Sequence, residues 1–147
     1  RQGCIYQFQA HALRLIYRPV PMLFVDMPTA LFRIDLRSSL RVACMLPMTL
    51  RGKYGDHEGV ICDLSEEGIR ARFRFNGPSA LRKVMTGDQF VASFSLGEFG
   101  VVMAAVTVRR IESNMKWISL GLQITERDES EAQAIKAYID RVMSILN

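Results

Sequence analysis

Between residues 42 and 124 the chain passes through six apolar or alternating runs, each cut from the next by a turn. This punctuation limits the fold more than any other feature. The runs are residues 42–50, 60–63, 69–75, 90–96, 101–110 and 117–124. The breaks between them carry Gly52, Gly55-Asp56, Asn76-Gly77-Pro78, Gly87-Asp88, Gly97-Glu98 and Ser113-Asn114, residue types that favour turns. The third run alternates strictly: Arg70, Arg72 and Arg74 fall on one face, and Ile69, Ala71, Phe73 and Phe75 on the other. Side chains two apart share a face of a strand, so the apolar set turns to a core and the arginines turn out. Six short antiparallel strands that leave no bare edge predict an all-β fold, a small closed six-stranded barrel. Hydrophobic residues make up 49% of the 147, enough to fill one such core with a small appendage.

The flanks differ from this pattern. Asp128-Glu129-Ser130-Glu131 resembles a capping box, with Asp128 as N-cap and Glu131 at the third helical position, and predicts a C-terminal α-helix. Ile135, Tyr138, Ile139, Val142, Ile145 and Leu146 then recur at helical spacing. That face is expected to pack on the barrel, with a helix–helix seam to a partner as the alternative. Upstream, much of residues 4–16 alternates between apolar and polar, as β structure does. Pro19 and Pro21 end the run, Met22-Leu23-Phe24-Val25-Asp26 reads as a further strand, and Met27-Pro28-Thr29-Ala30 turns toward a polar linker. The opening at Arg1 inside a strand pattern predicts a piece of a longer protein. Gly52, Gly55 and Gly59 are spaced too loosely for a phosphate loop and are expected to shape a hairpin.

Two elements carry chemistry. Arg37 and Arg41 stand four apart in the linker and at the mouth of the first barrel strand. Arginine forks chelate phosphates and the O6/N7 edge of guanine, and also lie flat on a purine. Asp63-Leu64-Ser65-Glu66-Glu67-Gly68 follows the second apolar run. Asp63 is suited to accept from the N1 and N2 donors of guanine, and Ser65 to donate to a phosphate or base oxygen. Both also shape turns, and Gly68 would allow a positive φ. Taken singly, the arginines read as solvated surface and the acidic element as a plain strand-to-strand turn. Their order separates them from that background, because a strand, a turn and a return strand would bring both motifs to one end of a hairpin.

Arg-x-x-x-Arg followed by Asp/Asn-x-Ser-x-x-Gly resembles the PilZ domain, a bacterial receptor for cyclic di-GMP (c-di-GMP). Every defining position is present: Arg37, Arg41, Asp63, Ser65 and Gly68. The resemblance runs through most of residues 36–147, including Ile118-Ser119-Leu120-Gly121-Leu122-Gln123-Ile124 and the helix after it. An overlapping pair, Arg33 and Arg37, fits the spacing to Asp63 less well. Phe8 to Ala12, Pro19-Val20-Pro21-Met22-Leu23 and Met27-Pro28 resemble the last strands of the amino-terminal domain of YcgR-type flagellar brake proteins. The resemblance implies residues 1–35 as a remnant of that domain with its linker, and 36–147 as a PilZ domain; the alternative is that these strands belong to the single barrel or pair with a neighbouring subunit. The resemblance further implies a c-di-GMP sensor with no cofactor, in the cytoplasm, that changes an interdomain or partner arrangement on binding. Its output would be bacterial motility, with flagellar motor proteins as partners, or exopolysaccharide control. Where many members carry a third arginine before the pair, this chain has Leu36, which implies one nucleotide per site.

Two other function classes compete. A PilZ-like protein-interaction module needs no ligand, although such modules usually lack the motif residues present here. A single-stranded nucleic-acid barrel would use the Arg70/Arg72/Arg74 row, but Phe73 and Phe75 alternate to the opposite face and leave it without stacking partners. The net charge of +4 suits an anionic ligand and is too small to argue for DNA or RNA. An enzyme is not expected: His11 and His57 lie far apart, and neither has a nucleophile or carboxylate in a recognisable motif. Cys4, Cys44 and Cys62 show no metal spacing and read as free thiols. Arg14, Arg18, Pro19 and Pro21 interrupt the apolar stretch 13–25, so no membrane span is expected. A monomer or weak dimer is the expected state.

Overall fold

The computed structural model describes residues 4–35, 39–75 and 80–146, which fall into two units, 1–38 and 39–147. The first holds four short strands: β1 (Cys4–Gln7), β2 (Ala12–Ile16), β3 (Met22–Val25) and β4 (Phe32–Asp35). β1 pairs antiparallel with β4, and β2 with β3, as two separate ladders. The alternating run 4–16 is therefore split at residues 8–11. There His11 and Asp26 exchange backbone and side-chain hydrogen bonds beside the β2–β3 ladder. β4 was not legible in the sequence: four residues that abut an arginine linker give too short a period to register. No described residue of this unit is buried; Leu13, Tyr17, Leu23 and Phe32 all stand open to solvent.

The second unit is a closed antiparallel barrel of β5 (Arg41–Gly52), β6 (Gly55–Ser65), β7 (Gly68–Arg74), β8 (Gln89–Ser95), β9 (Val101–Ser113) and β10 (Trp117–Glu126), in the order β10-β7-β6-β5-β8-β9. Each of the six predicted runs becomes a strand. β6 starts earlier than its apolar run, because Gly55, Asp56, His57 and Glu58 continue the ladder with β5 from a tight turn at Lys53 and Tyr54. Gly55 takes φ +95°, a conformation that costs glycine little, and the hairpin expected for this glycine-rich stretch is present. Leu50, Ile61, Leu64, Phe73, Val106 and Leu120 fill the interior, while Arg70, Arg72 and Arg74 face out as their period requires.

Helix α1 (Glu129–Leu146) closes the unit and packs against β5, β6 and β9. Glu131 accepts from the Asp128 backbone N–H at 2.9 Å, as a capping box requires, and its other oxygen accepts from the Met103 N–H at 2.7 Å. One carboxylate thus caps the helix and ties it to β9. Ile135 and Ile139 are buried, and Tyr138 and Val142 pack at the core margin. Ile145 departs from the expected face: it is 70% exposed, while Val142 and Met143 still pack against the core. The side chain of Leu146 lies outside the described residues.

Candidate functional site

Arg41 opens β5, and the ladder sets it directly opposite Ser65 at the end of β6, with Ala43 opposite Asp63. The hairpin brings the second arginine of the pair and the acidic turn together, as the spacing predicts. Register shifts lie on both sides of Asp63, between Ala43 and Leu46 on β5 and between Ile61 and Asp63 on β6. Irregularities of this kind bend a strand and re-aim its side chains. The Asp63 carboxylate lies between two guanidinium groups: Oδ2 is 2.5 Å from Arg70 Nε, and Oδ1 is 3.5 Å from Arg41 Nη1. Only 14% of the Asp63 side chain is exposed, against 41% for Arg41 and 54% for Arg70. Oδ1 is enclosed and accepts no hydrogen bond among the described residues. Its distance to Arg41 is an ion pair's, longer than a hydrogen bond.

Ser65 is buried, and its hydroxyl closes on Gly68: it donates to the Gly68 carbonyl and accepts from the Gly68 N–H, both at 3.1 Å. In this arrangement the hydroxyl shapes the turn and is not presented to solvent. Gly68 is required for a different reason from the one the sequence suggests. Its φ lies outside the left-handed region, and a Cβ built on it would stand 2.8 Å from the Leu122 carbonyl oxygen of β10. Close approach of two strands, rather than a positive φ, excludes a side chain there. The intervening turn is held from β10 onward: the Glu67 carbonyl accepts from the Ile124 N–H at 2.9 Å, and the Glu66 carbonyl accepts from the Arg127 guanidinium. Arg37 and Leu36 lie outside the described residues.

Along the same outer surface lies a groove of about 840 Å³, lined by the apolar Met45, Pro47 and Val60, by Cys62, and by Arg72, Arg74, Lys116 and Trp117. Val60 pairs with Arg72, and Trp117 with Arg74, so the groove runs across β5, β6, β7 and β10. The Arg72 guanidinium lies over the Trp117 ring, 4.6 Å from its centre. Neither Trp117 nor the part played by Arg70 was found in the sequence. Alternation within one strand cannot show a stacking partner on the next, which only the register of β10 against β7 supplies. Trp117 gives the arginine row one aromatic on its own face, where alternation along β7 alone offers none.

Arg41 can pair with an anion, and the Asp63 carboxylate can accept from N–H donors. Burial, then the Asp63 carboxylate and then Cys62, push the Cys44 thiol up to about 11, so it stays protonated at neutral pH. Among the described residues no cluster of three or more His, Cys, Asp or Glu side chains is placed to hold a metal, and no helix is long and apolar enough to cross a membrane.

No curated protein matches the sequence. Among solved structures, the Bacillus subtilis inhibitor of motility MotI/DgrA is similar with a TM-score of 0.76 at 19% identity, over 95% of this chain and 68% of that one. Escherichia coli YcgR in complex with c-di-GMP is similar with a TM-score of 0.64 at 16% identity, over 99% of this chain, which spans 63% of that protein's chain. The PilZ domain of the same YcgR, also with c-di-GMP, gives 0.63 at 12% identity over 76% of this chain and 95% of that one. At such identities the likeness is one of fold. The family model of the PilZ domain matches residues 35–141, most of the chain, and on that match the protein belongs to the PilZ domain family.

Proposed function

We propose that this chain is a non-catalytic receptor for c-di-GMP. The observation that carries the reading is the meeting of Arg41 and Asp63, distant in sequence and 3.5 Å apart at the end of the β5–β6 hairpin. In it, Arg41 and Arg37 clamp phosphates and guanine edges from the linker side, and Asp63 accepts from the N1 and N2 donors of a guanine. Ser65 and Gly68 belong to the site by holding the turn close to β10, which fixes where Asp63 stands. The groove lined by Trp117 and Arg72 continues the same face and has the apolar lining that a second planar base would need. One nucleotide per site is proposed, on the absence of a third arginine at Leu36.

Residues 1–35 serve as part of a YcgR-like amino-terminal domain and 36–147 as the receptor domain. Closure of the linker over the nucleotide would favour one arrangement of the two units, and the shift can be no larger than the ligand's difference in affinity for the alternatives. Similarity of fold to YcgR and to an inhibitor of motility supports a motility output in the cytoplasm, with the flagellar motor as partner. The nucleic-acid reading gains one aromatic, Trp117, yet a single half-buried ring beneath an arginine is not a stacking platform.

Calorimetry with c-di-GMP against GTP and cyclic GMP tests the proposal. The unsubstituted chain is expected to bind c-di-GMP alone, at one per chain, and Arg41→Ala to lose about 1.5–3 kcal/mol, as for a charge-assisted contact. Unimpaired binding by both Arg37→Ala and Arg41→Ala would place the pocket elsewhere.

A further inference from the structure

We propose that Arg70 is a positioning residue that sets the base selectivity of the receptor through Asp63. The inference rests on the reading of Asp63 as the group that accepts from guanine, and assigns a part to a residue outside the paired motif. In the sequence Arg70 is one of three arginines on an outer strand face. In the structure its neighbours Arg72 and Arg74 line the groove, while Arg70 sits opposite Asp63 in the β6–β7 ladder with Nε 2.5 Å from Oδ2.

The two cations on Asp63 are not equivalent. Arg70 is on a strand that begins at the Ser65–Gly68 turn, directly hydrogen-bonded to the strand that carries Asp63, and its guanidinium is within bonding distance of one oxygen. Arg41 is at the first residue of its strand, stands 3.5 Å from the other oxygen, and leaves that oxygen enclosed without a donor. A carboxylate turns freely about its last bond unless one oxygen is held. With Oδ2 held by Arg70, Oδ1 is fixed as the unsatisfied acceptor, and Arg41 is the cover that a ligand displaces. A buried acceptor with no partner favours any ligand that brings an N–H to it. Guanine brings two donors along one edge, N1–H and N2–H, and a carboxylate has the lone pairs to receive both while Arg70 keeps its ion pair. Adenine offers an acceptor at N1, which a fixed carboxylate repels. Arg70 therefore contributes to discrimination between purines without touching the base, whereas a released carboxylate could turn away and tolerate either.

The test is calorimetry on the full chain with c-di-GMP and cyclic di-AMP as probes, on Arg70→Met, which keeps the side-chain stem, and on Arg70→Lys. Arg70→Met is expected to weaken c-di-GMP about tenfold and to shrink the preference over cyclic di-AMP by a similar factor. Arg70→Lys should recover part of that preference, and in an Asp63→Asn background Arg70→Met should change the preference no further. Arg70→Gln, read with thermal melts, separates loss of selectivity from loss of fold. Equal weakening of both nucleotides, unchanged selectivity in Arg70→Met, or a full effect in the Asp63→Asn background would each overturn the role of Arg70 while leaving the receptor reading intact. Failure of the unsubstituted chain to bind c-di-GMP would overturn that reading, and this one with it.

Discussion

The two units use the same local ingredients and reach opposite results. Both are built from alternating strands in antiparallel ladders, yet in residues 4–35 no described side chain is buried, while the barrel keeps Leu50, Ile61, Leu64 and Ala71 at zero exposure. The difference is closure. Among the described residues of the first unit, two separate two-stranded ladders leave four edges and enclose no side chain. Six strands in a ring turn every inward residue onto another, and α1 adds Ile135 and Ile139 to the same core. Alternation licenses a strand; only topology decides whether its apolar side is covered. The candidate site stands on the closed unit, where the turn that carries it is bonded to β10 and Arg127 and its geometry is set by the ring.

Core truncation is the largest way to break this contrast. Phe73→Ala empties a fully buried position and is expected to cost the barrel about 3–5 kcal/mol. Leu13→Ala, at a side chain 67% exposed, should change stability by less than about 0.5 kcal/mol. Equal effects in chemical denaturation would mean that the first unit has a core of its own. Next in size is Gly68→Ala, whose Cβ would meet the Leu122 carbonyl; forcing β7 from β10 should cost about 1–3 kcal/mol and weaken ligand binding together with stability.

Two titrations sharpen the contrast further. The Cys44 thiol, at about 11, holds its proton more tightly in the fold than its ordinary 9.0. Its contribution to barrel stability is therefore complete below pH 9 and lost as pH rises toward 11. Denaturation midpoints should fall over that window, and the fall should shrink in Cys44→Ala. In the first unit, the His11 side-chain bond and then its backbone N–H hold Asp26 below the ordinary 3.8. For a depressed carboxylate the contribution is present above that value and lost as pH falls through the lower one. Amide exchange across β2–β3 should quicken at such acidity while barrel amides stay protected; simultaneous loss of both would mean that the two units open together. This is the smallest of the expected effects, since the pair is exposed.

The sequence and the structure agree where periodicity is long. Residues 69–75 alternate over a whole strand, and the barrel, the helix and the meeting of Arg41 with Asp63 follow from such runs and from the interval between motifs. What stayed hidden depends on neighbours in space. β4 exists because β1 pairs with it, Arg70 matters because the ladder sets it against Asp63, and Trp117 reaches Arg72 from the neighbouring strand. Gly68 shows the same limit: a motif marks the position, but it is the Leu122 carbonyl of the neighbouring strand, and not a positive φ, that forbids a Cβ. Ser65 likewise fits its motif, while its hydroxyl is directed at Gly68.

The most direct measurement is a map of backbone amide shifts on titration with c-di-GMP. A grip by Arg41 and Asp63 predicts that the largest changes fall at residues 41–43, 63–70 and around Trp117, with Lys53, Asp56 and Asp88 at the opposite strand ends unmoved. Changes centred on that opposite end, with Arg41, Asp63 and Arg70 undisturbed, would contradict the account.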